Sequence, residues 1–167
     1  MVERQVFREG MSRLGAAVSL ITTNGPAGRH GFTASAVCSV TDSPPTLLVC
    51  MNRSVSSHDA FRTNGTLCVN VLTGEQQKLS EIFATSSIPM EDRFGGGSWL
   101  EGAKALPVLM GSVVSFQCEV AEWNDIGTHT VVFCNVLDVT LSDPADALLY
   151  FGRAYHRLPF TKAPPKS

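Results

Sequence analysis

The sequence has no block of lysine or arginine, no apolar run long enough to span a bilayer and no cysteine pair at CxxC spacing. The first absence, with a formal net charge of −2, sets aside nucleic acid and anionic membrane as partners. The second excludes a transmembrane helix, which needs about 20 apolar residues in succession. The third counts against a zinc site: neither Cys38, Cys50, Cys68, Cys118 and Cys134 nor His30, His58, His129 and His156 fall at ligand spacing. GxGxxG, the GxxxxGK loop and GxSxG are also missing. Rossmann, P-loop and serine-hydrolase readings therefore lose their main support. Charge is sparse, at 17% against 44% hydrophobic, which leaves apolar surface to spare and points to burial in an oligomer.

What is present fits one mainly β domain over residues 1–158, followed by a flexible C-terminal tail at 159–167. A chain of 167 residues buries roughly two-thirds of its unfolded surface. Met1 to Gln5 lead into an amphipathic stretch rather than an apolar leader, and the five cysteines sit in apolar, strand-like runs. Both features fit reduced, buried thiols in a cytoplasmic protein.

Spacing predicts a helix over 4–16 with Val6, Phe7, Met11 and Leu14 on one face. The β-branched run from Val18 to Thr23 stops at the turn Asn24-Gly25-Pro26-Ala27-Gly28. Further strands are expected over 46–51 and 67–72, with a short helix capped by Ser56 or Ser57 and running through Phe61. Thr73 and Gln76 form a capping-box pattern before a helix through Phe83. Residues 84–105 lack periodicity, contain Gly95-Gly96-Gly97 and read as a mobile lid. Late strands fall over 113–123, 128–141 and 148–151. Many strands with short turns point to a closed or nearly closed barrel of about six strands.

Four places could carry chemistry. Gly31 to Pro45 is a strand-like run of small and hydroxyl residues ending on a double proline. It suits close approach to a flat, polar-edged ligand, and equally a tightly packed strand. The loop Asn52-Arg53-Ser54-Val55-Ser56-Ser57 offers a guanidinium, hydroxyls and backbone amides to an anion, or is simply a capped loop. Gly127-Thr128-His129 puts a histidine at a strand edge, beside a cleft or on plain surface. Phe94 and Trp99 flank the glycine run, where aromatics can cover a planar ligand or merely pin a loop.

In this order, Phe7-Arg8-Glu9-Gly10-Met11, Gly31-Phe32-Thr33-Ala34-Ser35, Val37-Cys38-Ser39-Val40-Thr41-Asp42, Pro44-Pro45, Leu67-Cys68-Val69-Asn70, Met90-Glu91-Asp92-Arg93-Phe94, Gly127-Thr128-His129 and Tyr155-His156 resemble the short-chain flavin reductase family. The resemblance implies a flavin-binding split β-barrel with peripheral helices. It also implies an NAD(P)H:flavin oxidoreductase that supplies reduced FMN or FAD to a separate flavin-dependent monooxygenase. Thr33, Ala34, Ser35 and Ala36 would meet the edge of the isoalloxazine, with Ser39, Val40 and Thr41 on its pyrimidine side. Cys50, Met51, Asn52, Arg53, Ser54 and Ser57 would lead along the ribityl chain to the phosphate. His129, as an orienting residue, would lie with Tyr155, His156 and Phe94 where nicotinamide meets flavin. Members are homodimers.

Many members carry a lysine, paired serines and a threonine in the phosphate loop. Here Arg53, Ser54, Val55, Ser56 and Ser57 stand there, so which serine meets phosphate is open. FMN against FAD is open too, and the lack of a basic cluster near His129 favours NADH over NADPH. The rival expectations are a reductase that retains its flavin and a flavin-storage module without turnover.

Overall fold

The computed structural model describes residues 1–162. Helix α1 (Arg4–Ser12) leads into β1 (Ala16–Ala17), β2 (Ser19–Thr23), β3 (His30–Ala34), β4 (Val37–Asp42) and β5 (Pro45–Asn52). Helix α2 (His58–Asn64) and β6 (Thr66–Val71) follow, then a short 3-10 helix at Gly74–Gln76 that runs into α3 (Gln77–Ala84). Next come α4 (Met90–Phe94), β7 (Trp99–Glu101) and β8 (Pro107–Leu109). Two long strands, β9 (Val114–Ile126) and β10 (His129–Leu141), precede β11 (Ala147–Phe151) and β12 (Ala154–Leu158).

Seven strands form one antiparallel sheet in the order β3-β2-β6-β9-β10-β5-β4. Its two edge strands, β3 and β4, are separated in sequence only by Ser35 and Ala36. The sheet must therefore curl until its edges meet, and the link leads straight into the β4–β5 ladder, where the Cys50 N–H donates to the Ala36 carbonyl at 3.0 Å. The Gly31 to Pro45 run is thus not one strand. It supplies both edges of the barrel and, at its double proline, the turn of the β4–β5 hairpin.

The interior is filled by Ile21, Phe32, Val49, Leu67, Val69 and Val132, with Phe61 of α2 edge-on to Phe32 at 5.3 Å. Strand β5 shows how position is specified. Leu47, Val49 and Met51 point inward while Leu48, Cys50 and Asn52 point out. Each inward side chain contributes about 1.5–3 kcal/mol by burial, so a one-residue slip of register is strongly disfavoured.

A second core lies outside the barrel, where Leu79 and Phe83 of α3 meet Val18, Leu20, Leu72 and Leu148. Gly31 permits this contact, because a Cβ there would sit 2.7 Å from the Phe83 ring. A three-stranded sheet, β1-β11-β12, and a two-stranded one, β7-β8, complete the architecture, and the barrel sheet itself has seven strands against about six expected. β12, which holds Tyr155 and His156, had no counterpart among the expected strands.

Helix α1 stops at Ser12, not at residue 16. The Ser12 hydroxyl turns back to the Glu9 carbonyl at 2.8 Å, and Ala16–Ala17 are strand. Its apolar face is exposed: Val6, Phe7, Met11 and Leu14 are all about half open or more. Residues 84–105 are not a mobile lid. The buried Arg93 guanidinium donates to the carbonyls of Ile88 and Phe83 at 2.9 and 3.1 Å, and Phe94 and Trp99 pack with Phe83. Gln76 caps as expected, its side-chain carbonyl accepting the Thr73 N–H at 3.0 Å. Beyond β12 the Phe160 N–H is held by Asp146, and residues 163–167 of the expected tail lie outside the described residues.

Candidate active site

The outward face of β5, with Leu48 and Cys50, continues onto its hydrogen-bonded neighbour β4 at Val37 and Cys38. Helix α1 lies over it and encloses a groove of about 1430 Å³. Small residues line its floor: Gly15, Ala16, Ala17, Ser35 and Ala36. The helix is tied down at its C-terminal end, where the Ser12 carbonyl accepts the Gly152 N–H at 2.7 Å and Glu9 pairs with Arg153 at 2.8 Å. The hydrogen bond and charge of Arg153, then Arg13, hold the Glu9 carboxyl below its ordinary range.

Two thiols face this groove, Cys38 exposed and Cys50 half-buried, against the expectation that all five would be buried. Burial, then the nearby Cys38, pushes the Cys50 thiol up, so it stays neutral beside a ligand. The other three lie inside, where burial drives Cys118 up to about 12 and raises Cys68 and Cys134 strongly.

A second groove of about 940 Å³ opens where the end of β5 meets the β9–β10 turn and α2. Gly127 turns that hairpin with φ +58°, a conformation that favours glycine, and places His129 opposite Asn52. The Thr128 carbonyl then accepts the Arg53 N–H at 3.0 Å, and Gly127 accepts its guanidinium at 3.4 Å. Asn52 Oδ1 accepts both the amide and the hydroxyl of Ser54, at 3.0 and 2.9 Å, which shapes the loop.

Arg4, Arg8, Arg53 and Arg62 line this space together with Asp59 and Asp125, and Arg62 is paired with Asp125 at 2.5 Å. A hydrogen bond from Thr130, then the charges of Arg62 and Arg53, keep Asp125 below the usual carboxylate range. Arg4, Phe7 and Arg8 line both grooves, so the two form one trough beneath α1.

Of the residues named from the resemblance, Ser35, Ala36 and Cys50 line the first groove; Asn52, Arg53, Ser54 and His129 line the second. The rest lie elsewhere in this chain. Met51 and Ala34 alternate inward and are spent on the barrel core. Thr33 donates its hydroxyl to the Ser80 carbonyl at 2.7 Å. Ser39, Val40 and Thr41 are exposed on β4, where a bulge breaks the register, and line neither groove. Ser57 is fully buried; its hydroxyl neither caps α2 nor finds any partner.

Phe94 belongs to the second core, 5.0 Å from Trp99, with the Arg29 guanidinium over its ring. Tyr155 shares a hydrogen bond with Ser80 Oγ at 3.0 Å, and His156 Nε2 lies 3.0 Å from the Phe151 carbonyl. Both sit on the small sheet, and one chain does not bring them into a groove with His129. Conversely, Arg4, Arg8, Leu48, His58 and Asp125 went unnamed as site residues. Only the Arg4/Arg8 spacing, four apart on a helix beside the apolar face, signalled their position.

The family model described as the flavin reductase like domain matches residues 11–159. The chain belongs to the flavin reductase-like family. It is 54% identical over 158 residues to the FMN reductase (NADH) RutF of Pseudomonas syringae pv. syringae (strain B728a), covering 95% of this chain and 88% of that protein. BorF, the flavin reductase component of a bacterial two-component tryptophan halogenase, superposes with a TM-score of 0.88 at 27% identity. That match covers 95% of this chain and all of the other, 100%. The NADH:FAD oxidoreductase SgcE6 of Streptomyces globisporus C-1027, solved with NAD and FAD fragments, gives 0.85 at 25% identity, covering 100% and 99%. The mainly β split barrel with peripheral helices is the fold of this family and of this chain.

Proposed function

We propose that the protein is an NADH:flavin oxidoreductase that takes FMN as its flavin and releases it reduced to a separate flavin-dependent monooxygenase. The continuous trough under α1 carries this assignment. Its first half is apolar and floored by small residues, as a flat ring requires; its second half gathers four guanidinium groups, as a phosphate tail requires. The residues present therefore fit the cofactor. FMN and NADH, rather than FAD and NADPH, are favoured by the names of the curated relatives.

Hydride transfer is the chemistry that flavin and nicotinamide supply when bound. The protein's share is to bind, orient and exclude water. The Ser35–Ala36 link presents backbone at the seam, where the Ala36 N–H is a candidate donor to the polar edge of a ring. Leu48, Phe7 and Met11 give the first groove apolar walls. Arg53, tethered to the β9–β10 turn, holds the phosphate end, and His129 orients the second substrate from the rim. No residue is asked to move a proton to the reacting atoms.

A homodimer in the cytoplasm completes the proposal. The exposed Val6, Phe7 and Met11 support the dimer, five free thiols a reducing compartment, and no helix among the described residues is long and apolar enough to cross a membrane.

The test is NADH oxidation by the purified protein with free FMN. Steady turnover, with flavin lost on gel filtration, is expected. Flavin bound without NADH oxidation would overturn the assignment in favour of storage, and colour retained through filtration would overturn release.

A further inference from the structure

Helix α1 is tied to the barrel at one end only. The tie is a single tight turn, in which Gly152 and Arg153 join β11 to β12 with φ of +58° and +63°. From this turn the Gly152 N–H donates to the Ser12 carbonyl at 2.7 Å, and Arg153 pairs with Glu9 at 2.8 Å. No other hydrogen bond or ion pair among the described residues joins α1 to the rest of the chain. Arg4 and Arg8 lie toward the other end, four residues apart and therefore stacked on one side of the helix about 6 Å from each other. Glu9 falls about 100° further round, so its pairing with Arg153 does not draw on Arg8.

Both arginines line the second groove, and among the described residues neither forms an ion pair, although Asp59 and Asp125 share that space. Arg62 is already committed, since its partner Asp125 ends a polar line that runs from His58 through Thr130. Arg53 is fixed to the β9–β10 turn by backbone alone, through the carbonyls of Thr128 and Gly127. Three guanidinium groups without a counter-ion thus border one groove, one set on its wall and two carried by the loose end of its roof. Their mutual repulsion opposes closure until an anion lies between them.

With that groove read as the phosphate end of the trough, we infer that α1 is a clasp closed by a phosphate ester. The ester bridges Arg53 on the wall to Arg4 and Arg8 on the roof, and the β11–β12 turn is the pivot. Phe7 precedes Arg8 and lines both grooves, so fixing the arginine also sets an apolar side chain over the ring. Arg4 and Arg8 therefore govern how long a phosphorylated flavin stays. Arg153 governs how firmly the roof sits over any flavin.

Hydrogen exchange across residues 5–11 of the full-length protein, followed by mass spectrometry, reads the clasp directly. FMN should slow exchange there about fivefold or more, and saturating riboflavin or NAD+ less than about twofold. Arg4→Gln combined with Arg8→Gln should lose that protection. The same variant should release FMN about tenfold faster in stopped flow and riboflavin within about twofold of wild type. Both side chains are exposed, so the variant keeps its fold. Arg153→Asn, which retains a residue tolerant of positive φ, should speed release of both flavins about threefold. Equal protection by FMN and riboflavin, or unchanged FMN release in the double variant, would overturn the clasp and leave Arg53 as the phosphate's holder. Protection by NAD+ in place of FMN would move the phosphate to the dinucleotide and overturn a flavin clasp. Wild-type protein that binds FMN no more tightly than riboflavin would overturn the phosphate site itself.

Discussion

Beneath Phe7 and Met11 the trough is floored by glycine and alanine, whereas past Arg4 and Arg8 it is walled by guanidinium groups, carboxylates and two histidines. One helix roofs both halves, yet they grip by different means. In the first half, side chains are small so that backbone and ring can approach, and the gain comes from apolar area leaving water, about 25 cal/mol per Å². In the second, the gain is charge against charge near solvent. A pair 4 Å apart is worth about 4 kcal/mol at best and loses strength with salt over about 8–10 Å. The first half should thus sense shape and ignore ionic strength, and the second the reverse.

The largest expected effect comes from breaking the shape of the first half. Ala36→Phe puts a ring where the ligand must lie and should cost both FMN and riboflavin on the order of 100-fold in affinity, measured by fluorescence quenching. Arg53→Ala breaks the second half instead. It should weaken FMN about tenfold and riboflavin less than about twofold, since only the phosphate loses a charge-assisted partner. Equal losses for both flavins would erase the distinction between the halves.

Salt sharpens the same contrast without mutation. Raising ionic strength from about 0.05 to about 0.5 M should weaken FMN by about threefold and leave riboflavin almost untouched. The smallest effect concerns acid. Asp125 has a depressed carboxyl pKa in the folded protein, so its ionised form stabilises the fold above the unfolded value, near 3.9, and that support is lost as pH falls through the lower folded value. The melting temperature of Asp125→Asn should therefore lie slightly below wild type at neutral pH and converge with it as pH falls through the lowered folded value. A gap that widens in acid would refute the assignment.

Much of this was legible along the chain, and what was not has particular causes. The helix carrying Phe7 and Met11 and the strand 46–51 follow from local periodicity and β-branched content. An uninterrupted apolar strand, however, hides which residues face in, so Met51 could not be told from Leu48 until its partners were known. The break at Ser35–Ala36 also escapes local signals. It arises because strands on either side pair with β2 and β5 at opposite ends of a sheet, a long-range fact. Phe94 looked free because it neighbours glycines, but Phe83 and Trp99 enclose it from other elements. In the second groove, Arg53 and His129 were visible as motifs. The buried line from His58 to Asp125 exists only once α2 is laid against β9 and β10.

The seam between β3 and β4 has one more consequence. These strands are the two ends of a seven-stranded sheet, and an unpaired strand end is a template on which other chains can add by backbone hydrogen bonding. Covering such an edge with a helix is one of the few defences available to a β protein. Helix α1, which stands across the first groove from Val37 and Cys38 of β4 and buries none of its own residues in either core, is the element nearest that position. A chain cut before Gly15 would lose the roof over both grooves and leave the β4 edge open to strand addition, which light scattering of the truncated protein would show as association.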